Sequence, residues 1–183
     1  MRYKMLVLAA AAFLLPACAN AQEFHAKFSG FFEVGALNNE TGAIFSQGQA
    51  TLKLKLDRKL QSLAYTLTYS DLVDVQQAHI HFGKVHVAGG VIVFLCTNLG
   101  NGPAATPACP ATAGTVTGLL TPASVVAIPG QNVPAGSFDA LVAALLSNTA
   151  YGNIHTAAFP RGEIRGEVRR DDDDDDHHGG DQH

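Results

Sequence analysis

Between Gln49 and Asp57 the chain reads Gln-Ala-Thr-Leu-Lys-Leu-Lys-Leu-Asp, which places Ala50, Leu52, Leu54 and Leu56 on one side and Thr51, Lys53, Lys55 and Asp57 on the other. A period of two gives one apolar and one wetted face only to an extended strand, whose successive side chains point to opposite sides. Residues 62–69 repeat the pattern with Leu63, Tyr65, Leu67 and Tyr69. The short polar link through Asp57-Arg58-Lys59 predicts a hairpin between the two runs.

Strands account for most of the remaining pattern. Residues 24–34 read as an earlier strand with Phe24, Phe28, Phe32 and Val34 on one side, interrupted by Phe31. Gly90 to Cys96 is continuously apolar, as expected of a strand covered on both faces. Residues 115–120 and 163–169 are shorter candidates, the latter alternating Ile164 and Val168 with Glu163, Arg165, Glu167 and Arg169. One helix, at about 138–147, stands out: Phe138, Leu141, Val142, Leu145 and Leu146 follow the plausible N-cap Ser137 at amphipathic spacing. Packing over an end or edge of the sheets is its expected role. The fold class expected is all-β with this single helix.

The two ends of the chain differ from its middle. Residues 1–21 combine a basic start (Arg2, Lys4), an apolar run from Met5 to Leu15 and the ending Ala19-Asn20-Ala21, the layout of a secretory signal peptide cut after Ala21. The run is shorter than the roughly 20 residues a bilayer-spanning helix requires, so no transmembrane segment is expected in the mature chain. Leu15-Pro16-Ala17-Cys18 resembles a lipobox, which leaves lipid anchoring through Cys18 as an alternative. At the other end, residues 171–183 hold seven aspartates together with His177, His178 and His183 and no apolar residue. Such a tail is expected to be disordered and solubilising, with low-affinity capture of divalent cations as its alternative use.

One domain is expected between these ends, over 22–170, a length that can bury a substantial core. The net charge of −4 comes from the tail, because residues 22–170 carry ten Lys and Arg against nine Asp and Glu. No basic surface for nucleic acid is implied.

After cleavage at Ala21 two cysteines remain, Cys96 and Cys109, separated by a Gly- and Pro-rich segment. Two cysteines in an exported chain point to a disulfide, with metal ligation as the other reading.

The histidines suggest chemistry. In Ala78-His79-Ile80-His81 a strand projects both imidazoles one way and Ala78, Ile80 and Phe82 the other, and in Gly152-Asn153-Ile154-His155-Thr156 it sends Ile154 inward and His155 outward. If these strands are neighbours, His79, His81 and His155 converge on one patch of outer surface. Three imidazoles are a signature of zinc or copper. The opposing reading makes each a solvated strand residue. His86, in the loop after the first pair, and His25, on the first strand, are possible additional ligands.

Several segments together resemble the CHRD domain, named for repeats in chordin and widespread in exported bacterial proteins. They are Phe28-Ser29-Gly30, Ala78-His79-Ile80-His81, Val91-Ile92-Val93-Phe94-Leu95-Cys96, Cys109-Pro110, Asn153-Ile154-His155-Thr156 and Phe159-Pro160-Arg161-Gly162-Glu163-Ile164-Arg165-Gly166. The resemblance spans roughly residues 24–169 and implies an antiparallel, immunoglobulin-like β-sandwich. It says little about chemistry: chordin is an extracellular binder of growth factors, and the bacterial single-domain members mostly lack an assigned function. The His-X-His strand with a later histidine is also similar to copper-zinc superoxide dismutases, although the full ligand set of a bridged pair is not identified here.

Three functions follow as expectations: an exported binding module for a metal ion, a protein partner or both; a small copper oxidoreductase; and a structural or adhesive surface domain without an ion. No organic cofactor is implied. No nucleophile-base pair, phosphate-binding glycine loop or Gly-X-Ser-X-Gly elbow is present.

Overall fold

The alternating run 49–57 is strand β2 (Gln49–Asp57), after β1 (Gln22–Phe28), and it turns directly into β3 (Ser62–Ser70). A computed structural model of the protein describes residues 22–34 and 42–171. The signal-peptide reading of 1–21 with Cys18, and the tail with His177, His178 and His183, lie outside the described residues. The hairpin closes at the pair Asp57–Ser62, where the Leu60 amide donates to Asp57 Oδ1 at 2.9 Å. Leu52, Leu54, Leu56, Leu63 and Leu67 are at most 2% exposed, so each contributes about 1.5–3 kcal/mol of burial.

The chain continues through β4 (Val75–Phe82), β5 (Gly90–Thr97), β6 (Gly114–Leu120), helix α1 (Phe138–Leu146), β7 (Ala150–Thr156), β8 (Ile164–Glu167) and β9 (Arg169–Arg170). Two antiparallel sheets, in the orders β6-β3-β2-β1-β9 and β5-β4-β7-β8, pack as a sandwich. Phe24, Ala26, Phe28 and the hairpin leucines meet Ala78, Ile80, Ile154 and Ile164 in one core. The helix adds Phe138, Leu141, Val142 and Leu145 to the same cluster. Ser137 stands at its N-cap position, yet its side chain accepts no capping hydrogen bond. Among the described residues no helix is long and apolar enough to cross a membrane.

Three expectations about strands need correction. The first strand stops at Phe28, because Ser29 accepts the Phe31 amide and starts a 3-10 turn over Gly30–Phe32 that leaves Phe31 and Phe32 exposed. The segment 163–169 is not one strand: the chain crosses between sheets at the buried Val168, so β8 joins the four-stranded sheet and β9 pairs with β1. β5 is an edge strand, with Ile92, Val93, Leu95 and Cys96 buried but Val91 and Phe94 half-exposed. Cys96 and Cys109 form the disulfide, and Asn98 ties the enclosed loop down by accepting the Cys109 amide and donating to the Val75 and Cys109 carbonyls.

Candidate metal centre

β4 and β7 are antiparallel neighbours, with His79 opposite Asn153, His81 opposite Tyr151 and Gln77 opposite His155. Alternation then sends Ala78, Ile80 and Ile154 into the core and His79, His81, Asn153 and His155 to the opposite face. Register shifts between β4 and β5 flank His79 and His81, the kind of irregularity that re-aims side chains near a site. The three imidazoles meet: ring centroids lie 5.5 Å apart for His79–His81, 4.9 Å for His79–His155 and 6.3 Å for His81–His155. One potential ligand atom from each lies within 4.8 Å of the others. His25 and His86 do not join this group. His25 sits on the other sheet, 2.7 Å from Asp171, and His86 is exposed in the loop after β4.

The expectation of an outer-surface patch is wrong. His79 is 2% exposed and His81 and His155 are each 8% exposed, because the second face of this sheet is covered by loops rather than water. His81 Nδ1 donates to the Gly89 carbonyl (3.0 Å), and His155 Nδ1 donates to the Pro160 carbonyl (3.1 Å). A carbonyl only accepts, so both rings carry their proton on Nδ1 and present a bare Nε2. A glycine is required at 89, where a Cβ would lie 1.9 Å from the Phe82 carbonyl oxygen. The Phe94 and His79 rings meet in a T-shaped arrangement at 4.4 Å between centroids, and Tyr151 stacks on His81 at 4.7 Å.

Around the imidazoles lies a buried polar layer that the sequence pattern does not reveal. Arg165, expected on a solvated strand face, is 0% exposed. Its guanidinium lies 3.4 Å over the Tyr151 ring, donates to the Val87 and Lys84 carbonyls and pairs with Glu167 at 2.8 Å. It thereby fastens the loop that supplies Gly89. Glu163 accepts the Ser46 and Thr156 hydroxyls, each at 2.6 Å. Glu33 accepts the Asn153 amide at 2.5 Å and its own neighbour's backbone N–H from Val34 at 3.1 Å. Nothing local marks these charges as buried, since alternation with apolar residues also describes a wetted face.

Burial sets the protonation of the layer. It pushes His79 down to about 2, helped by the neighbouring His155 and His81, and brings His81 to about 4 against the raising effect of the Gly89 hydrogen bond. His155 is lowered by the same cause, while burial raises Glu33 to about 7. All three imidazoles are neutral at pH 7, the form that ligates a metal.

Proton bookkeeping then leaves a conflict. His79 Nδ1 stands 3.2 Å from His155 Nε2, which is bare. If His79 carries its proton on Nε2, two lone pairs face each other. If it carries it on Nδ1, its buried Nε2 is left without a partner, as is His81 Nε2. With the proton on Nδ1 the pair makes an N–H···N hydrogen bond; with it on Nε2, a cation between the rings would remove the facing lone pairs and give His81 Nε2 a partner, and two nitrogens bound tetrahedrally at roughly 2.0–2.1 Å stand about 3.3 Å apart, close to the spacing here.

The sequence profile of the CHRD domain matches residues 24–168, a span that includes all three histidines and both cysteines. No characterised protein and no solved structure matches the chain significantly.

Proposed function

The chain belongs to the CHRD-domain family, and on that premise we propose that it is an exported binding module in which His79, His81 and His155 hold one copper or zinc ion. The observation that carries this reading is the 3.2 Å approach of two imidazole nitrogens in a site where two of the three tautomers are fixed by carbonyls. The ion would supply a Lewis acid, redox-active if it is copper. The protein's part is to keep three neutral imidazoles dry and oriented, through Gly89, Pro160, Tyr151 and Arg165. Burial of the cluster favours holding an ion over turning over a substrate, because a small copper oxidoreductase needs a coordination position that superoxide or peroxide can reach.

Export through residues 1–21 is part of the reading, and the disulfide is compatible with it. Intact-mass measurement distinguishes a chain starting at Gln22 from one lipidated at Cys18. The metal claim is tested by elemental analysis of untagged full-length protein with His177, His178 and His183 replaced by Ala, so that the tail does not mask the site. After dialysis it should retain about one equivalent of copper or zinc, and His155→Ala should retain none. Equal retention by the two proteins, or uptake by neither, would refute the site and leave the structural reading without an ion.

A further inference from the structure

We propose that Asn153 is the outer hydrogen-bond partner of His79 in the metal-loaded site, an inference that rests on the metal reading above. A ligating histidine almost always donates its second ring N–H to an oxygen, which fixes the ring and raises its basicity. Two of the three rings already have that oxygen, from Gly89 and Pro160. His79 does not. With Nδ1 turned towards His155 and the ion, its Nε2–H needs an acceptor, and Nε2 is buried without one.

The residue directly opposite His79 across the β4–β7 ladder is Asn153, on the same face. Opposed residues have Cβ atoms only about 4.5–5.5 Å apart. Asn153 is 2% exposed, and its Oδ1 is also buried and unpartnered among the described residues. The amide orientation is set from behind, because Nδ2 donates to Glu33 Oε2 at 2.5 Å, leaving Oδ1 as the free end. Glu33 can come so close only because residue 162 is a glycine, whose Cβ would stand 2.3 Å from Asn153 Nδ2 and 2.6 Å from Glu33 Oε2.

One ion and one tautomer then supply partners for His79 Nε2, His81 Nε2 and Asn153 Oδ1, with the His79 ring and the Asn153 amide, not hydrogen-bonded to each other as they stand, closing the last of these contacts on loading. His81 Nε2, His155 Nε2 and His79 Nδ1 face the ion. Where metal-free His79 donates from Nδ1 to His155 Nε2, that proton moves to Nε2 on loading and is shared with Asn153 Oδ1, so His79 releases no proton. Asn153 is a positioning residue and does not touch the ion.

The test uses the full-length chain with the tail histidines replaced by Ala and zinc as the probe, in competition with a chromophoric chelator. Asn153→Leu, similar in size but without an acceptor, should bind zinc roughly 10- to 100-fold more weakly. Asn153→Asp, which restores an oxygen acceptor, should recover most of the affinity. Wild-type affinity in Asn153→Leu would overturn the proposal while leaving the metal site standing. Failure of the unsubstituted site to take up either zinc or copper would defeat the metal reading and this one with it. Should the leucine variant not fold, long-range proton–nitrogen spectra of the zinc-loaded wild-type site decide: zinc on His79 Nδ1 with a slowly exchanging Nε2–H is expected, and zinc on Nε2 overturns the proposal.

Discussion

Replacing Glu33 by Gln should make the metal-free protein markedly more sensitive to acid, because the shift of Glu33 is opposite in sign to those of the buried histidines. An imidazole held neutral by burial lets the unfolded chain take up a proton that the folded chain refuses, so stability falls below pH 6.5 by about 1.36 kcal/mol per pH unit for each such ring. From pH 8 to pH 4.5, with folded values of about 2 for His79 and about 4 for His81, the two together cost about 5 kcal/mol. Glu33 has the opposite sign. Its folded value of about 7 lies above the ordinary 4.5, so the folded state gains a proton first and stability rises by about 3 kcal/mol over the same interval. These groups leave a net loss of about 2 kcal/mol in the wild type and about 5 kcal/mol in Glu33→Gln. His155, Arg165, Glu163 and Glu167 share the layer and act in both proteins, so the difference of about 3 kcal/mol is the quantity to measure. Urea unfolding followed by circular dichroism in the presence of a chelator, at both pH values, reads it directly. Profiles that stay parallel within about 1 kcal/mol would refute the assignment of Glu33 as a buried, proton-holding carboxyl.

Gly162→Ala should destabilise by about 2–4 kcal/mol, because residue 162 has φ +127° and the new Cβ would strike Asn153 and Glu33; an unchanged urea midpoint would contradict this. Replacing Cys96 and Cys109 by Ala should cost about 3 kcal/mol for a loop of this size, and thiol labelling of unreduced, unfolded wild type should find neither cysteine free. Truncation after Asp171 should leave the melting temperature unchanged. Removing Asp171 as well deletes a half-exposed contact to His25 and should change stability by less than about 1 kcal/mol, so a larger drop would mean that the end of the domain depends on it.

The β2–β3 hairpin was legible to within one residue of its ends because one of its faces meets water and the other meets the core, and that contrast is written in the alternation itself. The shared face of His79, His81 and His155 was legible for the same reason, since alternation reports sidedness. It does not report what covers a side. The cover over β4, β7 and β8 comes from the loops 42–48, 83–89 and 157–162, the first remote in sequence and the others adjoining these strands, and none carries a periodic pattern, so Arg165 and Glu163 read as solvated and Asn153 passed without a role. The end of β1 at Phe28 was missed because a serine cap followed by two more phenylalanines also reads as a continuing strand.

β4 and β7 form a boundary between two kinds of interior. On one face Ala78, Ile80 and Ile154 are locked into the apolar core, whereas on the other the histidines are held by hydrogen bonds to loop carbonyls that water can replace. Segments fastened in this way open locally without unzipping the strands beneath them. An ion seated there would leave no faster than the segments around Gly89 and Pro160 part. Its exchange rate would follow the hydrogen exchange of those loops, and occupancy would preserve a memory of the metal available when the domain closed, long after the surrounding concentration had changed.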